Sequence, residues 1–323
     1  MPSLKEIKSR IASVNSTRKI TSAMKMVASS KLHHAQVMIE NMLPYENTLE
    51  HILKSFLAAT PDIQTPYNVE HEGVKRVALV VYASNGSLCG GFNANIIRLM
   101  QQAVSEHQGK GREVVVYPIG RKVAEKAAKM GLHCAGNYIQ LADKPQAAAC
   151  RQIAEELCRQ YSDGQIDRVE LIYHHFKSAG SQTLQRRVFL PIDVTMDFEW
   201  DNDRDLSSTV ATKESQEYIR NNSRQSTIDE ESEKATPYND NFIVEPSVQD
   251  LLHSLIPKEL NLMLYTALLD SNASEHAARM VAMQAATDNA DELLRALNLQ
   301  YNKSRQQAIT SELLDIVGGS AGN

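Results

Sequence analysis

Two stretches of the chain carry apolar residues at alternating steps of three and four, with no glycine or proline to interrupt them: Ser3 to Leu43 and Lys258 to Val317. Leu4, Ile7, Ile11 and Val14 follow the spacing of a heptad seam. The seam breaks at Asn15-Ser16-Thr17-Arg18-Lys19 and resumes with Ala28, Leu32, Ala35, Ile39 and Met42. Toward the other end, Met283, Ala290, Leu294, Leu297 and Tyr301 fit one seam, and Ile309, Leu313 and Ile316 fit a shifted one. Unbroken helices over these stretches would be about 60 and about 90 Å long. Stripes this narrow need one partner each, and each helix is the nearest partner for the other. The pattern predicts a helical hairpin made by the two ends of the chain, with two separate long core helices as the alternative.

Between them the period changes. KRVALVVY (75–82), EVVVYPIG (113–120), VELIYHHF (169–176) and LQRRVFLP (184–191) read as strands. Helical stretches near 93–106, 120–130 and 145–161 alternate with the first three. Alternation of this kind predicts an α/β layer on a largely parallel sheet. The fourth run follows through Ser178-Ala179-Gly180-Ser181, a short turn that predicts an antiparallel hairpin at one edge. Residues 197–241 differ again. They hold twelve acidic residues against five basic ones, a net of −7, with no glycine and few large apolar groups. This reads as an exposed insertion with a short helix around Lys213–Arg220, either a solvated loop or an interaction tail.

Composition narrows the function classes. A net charge of −5 over 323 residues offers no basic surplus for nucleic acid. The apolar runs fall well short of the roughly 20 residues of a membrane span, and no signal-peptide pattern is expected at the start. Cys89, Cys134, Cys150 and Cys158 are scattered without CxxC spacing, so they read as reduced thiols rather than a zinc or redox motif.

The segment SNGSLCGGFN (84–93) lies between a strand and a helix, where a glycine-rich turn can cradle phosphate. It matches neither G-x-G-x-x-G nor the P-loop pattern, and the next strand ends in Pro118 and Gly120 rather than an acidic residue. The better reading is a tight structural turn in which Gly90 and Gly91 permit close backbone approach. His33-His34 and His174-His175 are adjacent pairs whose side chains diverge, so neither makes a metal site alone. No catalytic set assembles. No catalytic residue, metal or cofactor is expected.

The run SEHAARMVAMQAATDNADELLRALNLQYNKSRQQAITSEL, part of Ala273–Val317, resembles the C-terminal helix of gamma subunits of F-type ATP synthases. LKEIKSRIASVNSTRKITSAMKMVASSKL resembles the N-terminal helix of that family, and LCGGFNANI its glycine loop. The likeness is strong over 1–50, 76–100 and 242–317, weak over 110–196 and absent over 197–241. It implies an antiparallel left-handed coiled coil (residues 1–58 and 247–318) and a Rossmann-like α/β foot domain (74–245). It further implies a non-catalytic rotor stalk. The coiled coil would stand inside a hexamer of alpha and beta subunits, and the foot would rest on the epsilon subunit and the c ring. The location implied is the cytoplasmic face of a bacterial inner membrane, with membrane association only through the complex. The resemblance places Arg305, Gln306, Thr310 and Glu312 against a catch loop of the catalytic subunit, Met24 and Lys25 against its acidic lever, and Glu245 near the c ring. Two departures stand out. Asn85-Gly86-Ser87 replaces an acidic and a basic residue usual before the glycine loop, and the acidic insertion has no counterpart in shorter bacterial relatives. Lacking cysteine, that insertion carries no thiol switch; it is expected to tune ATP hydrolysis through neighbouring subunits.

Overall fold

The computed structural model describes residues 3–59, 65–68, 71, 73–192, 244–245 and 247–320. The chain begins with α1 (Leu4–Ala59) and closes with α6 (Val248–Ser320), two helices of 56 and 73 residues. A capping box starts the first: Ser3 Oγ accepts from Glu6 N at 3.3 Å, and Glu6 Oε2 accepts from Ser3 N at 2.9 Å. Ser247 opens the other, its Oγ accepting from Asp250 N at 3.1 Å. Both helices run through a proline, Pro44 and Pro257. A proline inside a helix costs about 3 kcal/mol. Here the turns after Pro44 bury Leu49, Leu53 and Phe56, which offsets that cost.

The polar interval in α1 does not break the seam. The alternation of three and four keeps its phase from Leu4 to Phe56, and Arg18, Thr21, Lys25 and Glu46 simply take seam positions. Each is buried or half-buried, as seam positions are.

The chain divides into two compact units: residues 1–28 with 279–323, and residues 29–278. In the first unit Ile7, Ala28, Met283, Ala290 and Leu297 are buried. Thr21 Oγ1 and Thr287 Oγ1 lie 2.8 Å apart, and Arg18 Nη1 lies 2.9 Å from Asp291 Oδ1. Rising numbers on one helix meet falling numbers on the other, so the pair is antiparallel. Counting turn by turn from Thr21–Thr287 brings Leu4 level with Ser304. Past that level α1 offers no further turn, and the expected shifted stripe is not buried: Ile309 and Leu313 are 49% and 57% exposed. The side chain of Ile316 lies outside the described residues.

The second unit is built on a five-stranded sheet of order β3-β2-β1-β4-β5. Its strands are β1 (Arg76–Tyr82), β2 (Glu113–Ile119), β3 (His133–Cys134), β4 (Arg168–Ser178) and β5 (Ser181–Leu190). The first four are parallel, and β5 turns back antiparallel along β4, as the sequence predicts. The connecting helices are α2 (Phe92–Gly109), α3 (Arg121–Lys129), α4 (Ile139–Asp143) and α5 (Ala147–Ser162).

Alternate residues of β1 feed two cores. Val77, Leu79 and Val81 pack with Ile96, Met100 and Val104 of α2 and Val123 of α3. Ala78, Val80 and Tyr82 share the other core with Ile153 and Leu157 of α5, Leu53 and Phe56 of α1, and Leu252, Leu260 and Leu264 of α6. Parts of both long helices thus cover one sheet face. The expected insertion at 197–241, with its short helix, lies outside the described residues.

Candidate functional site

The C-terminal edge of a parallel sheet is where open α/β folds usually hold a ligand, so the 84–93 loop is the place to test. Ser84 N donates to Asn93 Oδ1 at 3.1 Å. Asn93 Nδ2 donates to Ser84 Oγ at 2.8 Å, to Gly86 O at 3.0 Å and toward Cys89 Sγ at 3.1 Å. The loop is therefore tied to its own helix by one asparagine. Asn85 does the same outward. Its Nδ2 donates to Ile139 O at 2.8 Å and Asp143 Oδ2 at 2.7 Å, both in α4, and its Oδ1 accepts from Arg121 N at 2.8 Å, the first amide of α3. The side chains of Ser84, Asn85 and Asn93 and the Gly86 carbonyl are thus engaged within the chain.

Gly90 adopts φ of 57°, which suits glycine, and Leu88, an exposed leucine, also takes a positive φ of 66°. Gly91 has an ordinary helical φ of −79°, and a Cβ there would meet only the Asn95 side chain, 3.2 Å away. A backbone approach too close for any side chain is made at Gly120. Its φ is 106°, and a Cβ there would stand 2.0 Å from Ala83 O. Gly120 lets β2 turn into α3 directly against the end of β1, where Ala83 N donates to Ile119 O at 2.8 Å.

The rest of the crevice is filled by α6. Every residue from Thr266 to Ala277 is buried, including six polar or charged residues in the run Asp270–His276 and its neighbour Thr266. Tyr82 Oη, at the tip of β1, donates to Leu264 O at 3.0 Å. Asp270 Oδ2 lies 2.9 Å from His175 Nδ1. Asn272 Nδ2 donates to Ala142 O of α4 at 2.8 Å, and Ser274 Oγ donates to His174 O at 3.4 Å. Phe92, next to the glycines, stacks on the His174 ring with centroids 4.3 Å apart. The two histidines of the pair diverge as expected: His175 meets α6, and His174 lies under α2. Burial holds the His174 imidazole down to about 4, so it is neutral near pH 7.

A second buried ionic group braces the opposite side of the sheet. Glu170 of β4 accepts from Arg186 Nε and Arg168 Nε at 2.7 Å each, and His107 Nε2 lies 3.3 Å away. Burial pushes the Glu170 carboxyl up, but the two guanidinium groups outweigh it and hold it at about 2. His107 is pulled down, first by burial, although Glu170 works against that. The group spans α2, β4 and β5 and has the form of a structural brace.

Of the residues expected at interfaces, Arg305, Gln306, Thr310 and Glu312 share one exposed end of α6, and Thr310 Oγ1 donates to Gln306 O at 2.9 Å. Met24 and Lys25 are half-buried on α1, because Lys25 occupies a seam position. Glu245 is exposed just before α6. Among the described residues no group of three or more His, Cys, Asp or Glu is placed to hold a metal ion, and no helix is long and apolar enough to cross a membrane.

Fold and site together define a class: an antiparallel pair of helices from the two ends of the chain, and an α/β domain whose sheet edge is packed by a stretch of the C-terminal helix. A family model described as ATP synthase matches residues 3–322. The ATP synthase gamma chain of Phocaeicola vulgatus is 52% identical over 321 residues, covering 99% of both chains. That of Cytophaga hutchinsonii is 38% identical over 323 residues, covering 99% of this chain and 98% of the relative. Among solved structures, the fold is similar to a chain of the Tetrahymena thermophila mitochondrial ATP synthase central stalk and c-ring structure. That match has a TM-score of 0.53 at 23% identity, covering 83% of this chain and 99% of that one. A chain of the Euglena gracilis mitochondrial ATP synthase rotor gives 0.57 at 18% identity, covering 95% and 98%. The chain belongs to the ATP synthase gamma chain family and is a non-catalytic subunit of that complex. Coverage of 99% on both sides at 321 aligned residues means that the Phocaeicola relative has room for a segment as long as 197–241.

Proposed function

We propose that the chain is the turning central stalk. The paired helices (1–58 and 247–318) stand inside a hexamer of alternating alpha and beta subunits. The α/β foot (74–245) rests on the epsilon subunit and the c ring at the cytoplasmic face of a bacterial inner membrane. Ion flow turns the ring, the foot turns with it, and the asymmetric helix pair drives the catalytic subunits through successive states of ATP synthesis. Protons and sodium both fit this reading.

The single observation that carries it is the filled crevice. An α/β domain that spends its ligand site on gripping a 73-residue helix is built to hold that helix, not to bind a nucleotide. The surface chemistry of the stalk agrees. Arg305, Gln306, Thr310 and Glu312 offer exposed polar contacts, each worth only ~0–1 kcal/mol, which neighbours can make and release as the stalk turns. Lys25 covers the seam with its stem and offers its ammonium to an acidic lever beside Met24. Glu245 is exposed just before α6, and in this reading it is the foot's contact with the c ring.

Co-expression with alpha, beta and epsilon subunits tests this. The expected product is one copy of the chain per hexamer. An isolated chain that binds ATP or NAD tightly and leaves the hexamer unassembled would support a nucleotide-dependent enzyme instead.

A further inference from the structure

We propose that the buried polar run Asp270–Ser274 of α6 is the lock that carries torque from the α/β domain into the helix, with Asp270–His175 and Asn272–Ala142 as its main bonds. This rests on the stalk reading above and names the residues that would make it work.

A smooth apolar helix in a socket resists being pulled out, yet it resists turning about its own axis only weakly, since one apolar contact is replaced by another. Directional bonds differ. Successive residues of a helix point about 100° apart, so Asp270 and Ser274, four positions apart, share one face of α6, and Asn272 between them leaves on nearly the opposite side. They reach different parts of the domain: His175 in β4, Ala142 O in α4, and His174 O in β4. A rotation of α6 by one residue would break all three at once. Polar groups at 2%, 8% and 0% exposure cannot turn to water instead, so each broken bond leaves an unsolvated donor or acceptor.

The small residues within and flanking the run, Ala267, Ala273 and Ala277, are also buried and bring the helix close to the sheet edge. The glycine loop braces the socket from outside. Asn85 holds α4, which supplies Ala142 O, and Phe92 stacks on His174, whose carbonyl accepts from Ser274. A purely apolar stretch of α6 would give more stability at less desolvation cost, and directional bonding is what the polar run supplies in its place.

The test uses the complete ATP synthase in vesicles, with two rates measured on each variant: ATP hydrolysis and ATP synthesis driven by an imposed ion gradient. Asp270→Leu and Asn272→Ala each remove one bond, and Asp270→Asn keeps an acceptor for His175. The expected result is hydrolysis within about twofold of the parent complex and synthesis reduced at least about fivefold for Asp270→Leu and Asn272→Ala, with recovery in Asp270→Asn. Synthesis that falls only in step with hydrolysis or with the amount of assembled complex overturns the lock. If Asp270→Leu does not assemble, Asn272→Ala with Ser274→Ala decides the matter by the same ratio. A parent complex that contains the chain and yet hydrolyses ATP without turning it would overturn the stalk reading rather than the lock.

Discussion

Gly120 and Gly91 sit in similar strand-to-helix turns, yet only one is obligatory. At Gly120 an alanine would face φ of 106° and a Cβ 2.0 Å from Ala83 O, both part of fixed backbone. Gly120→Ala is expected to cost at least about 2–3 kcal/mol, while Gly91→Ala should cost under about 1 kcal/mol. Urea unfolding of the two variants checks this, and equal midpoints would contradict it. The sequence alone pointed to Gly90 and Gly91 because glycines are conspicuous in pairs. What makes Gly120 necessary is a carbonyl from another strand, which no local pattern reveals. The role of Asn85 was hidden for the same reason: its partners, Ile139, Asp143 and Arg121, come from other elements.

Two buried groups also set an acid response. Glu170 is held at about 2, below its ordinary 4.5, first against the pull of burial and then by Arg186 and Arg168. Its contribution to stability is whole above about 4.5 and is lost as pH falls from there toward about 2, because the unfolded chain takes up the proton first. His174 is held at about 4 by burial, below 6.5, so its contribution disappears between about 6.5 and about 4 on acidification. Melting temperature should therefore decline in two stages. Glu170→Gln should flatten the lower stage and leave the upper one in place; a profile unchanged below pH 4.5 would contradict the assignment.

At the scale of elements, periodicity was legible wherever it ran long. Both long helices, four of the five strands and the antiparallel edge follow from spacing. The two residues of β3 and the five of α4 are too short to show a period. The seam was under-read for a different reason. A search for apolar residues stops at Arg18, although geometry keeps Arg18 and Thr21 on the same stripe, where Asp291 meets Arg18 and Thr287 meets Thr21. The Arg18–Asp291 pair is about 40% exposed on both sides, so it contributes less than about 1 kcal/mol. Replacing both by leucine is expected to leave the melting temperature level or higher, because two apolar groups then join an apolar seam. A marked loss of stability would show that the pair contributes more than its exposure allows.

For the molecule as a whole, the family and its stalk were legible because the most specific text lies at both ends of the chain. The occupied crevice was not, since it depends on α6 passing the sheet edge at one height. Beyond the level of Ser304, Leu313 and Leu314 of α6 are exposed among the described residues. Truncation after Leu313 is expected to weaken coupling modestly, because the paired helices below remain; complete loss of assembly would contradict that. Deletion of 200–238 is expected to change ATP hydrolysis or its inhibition by epsilon without preventing assembly. An unchanged hydrolysis profile would leave that segment without the regulatory role suggested by the −7 charge of residues 197–241.

The most direct measurement is rotation itself. Lys110, exposed at the end of α2, can be replaced by cysteine to carry a probe while the alpha and beta subunits are fixed to a surface. On addition of ATP, the account predicts continuous turning of the probe in one direction. A probe that keeps a fixed angle while ATP is hydrolysed would contradict it.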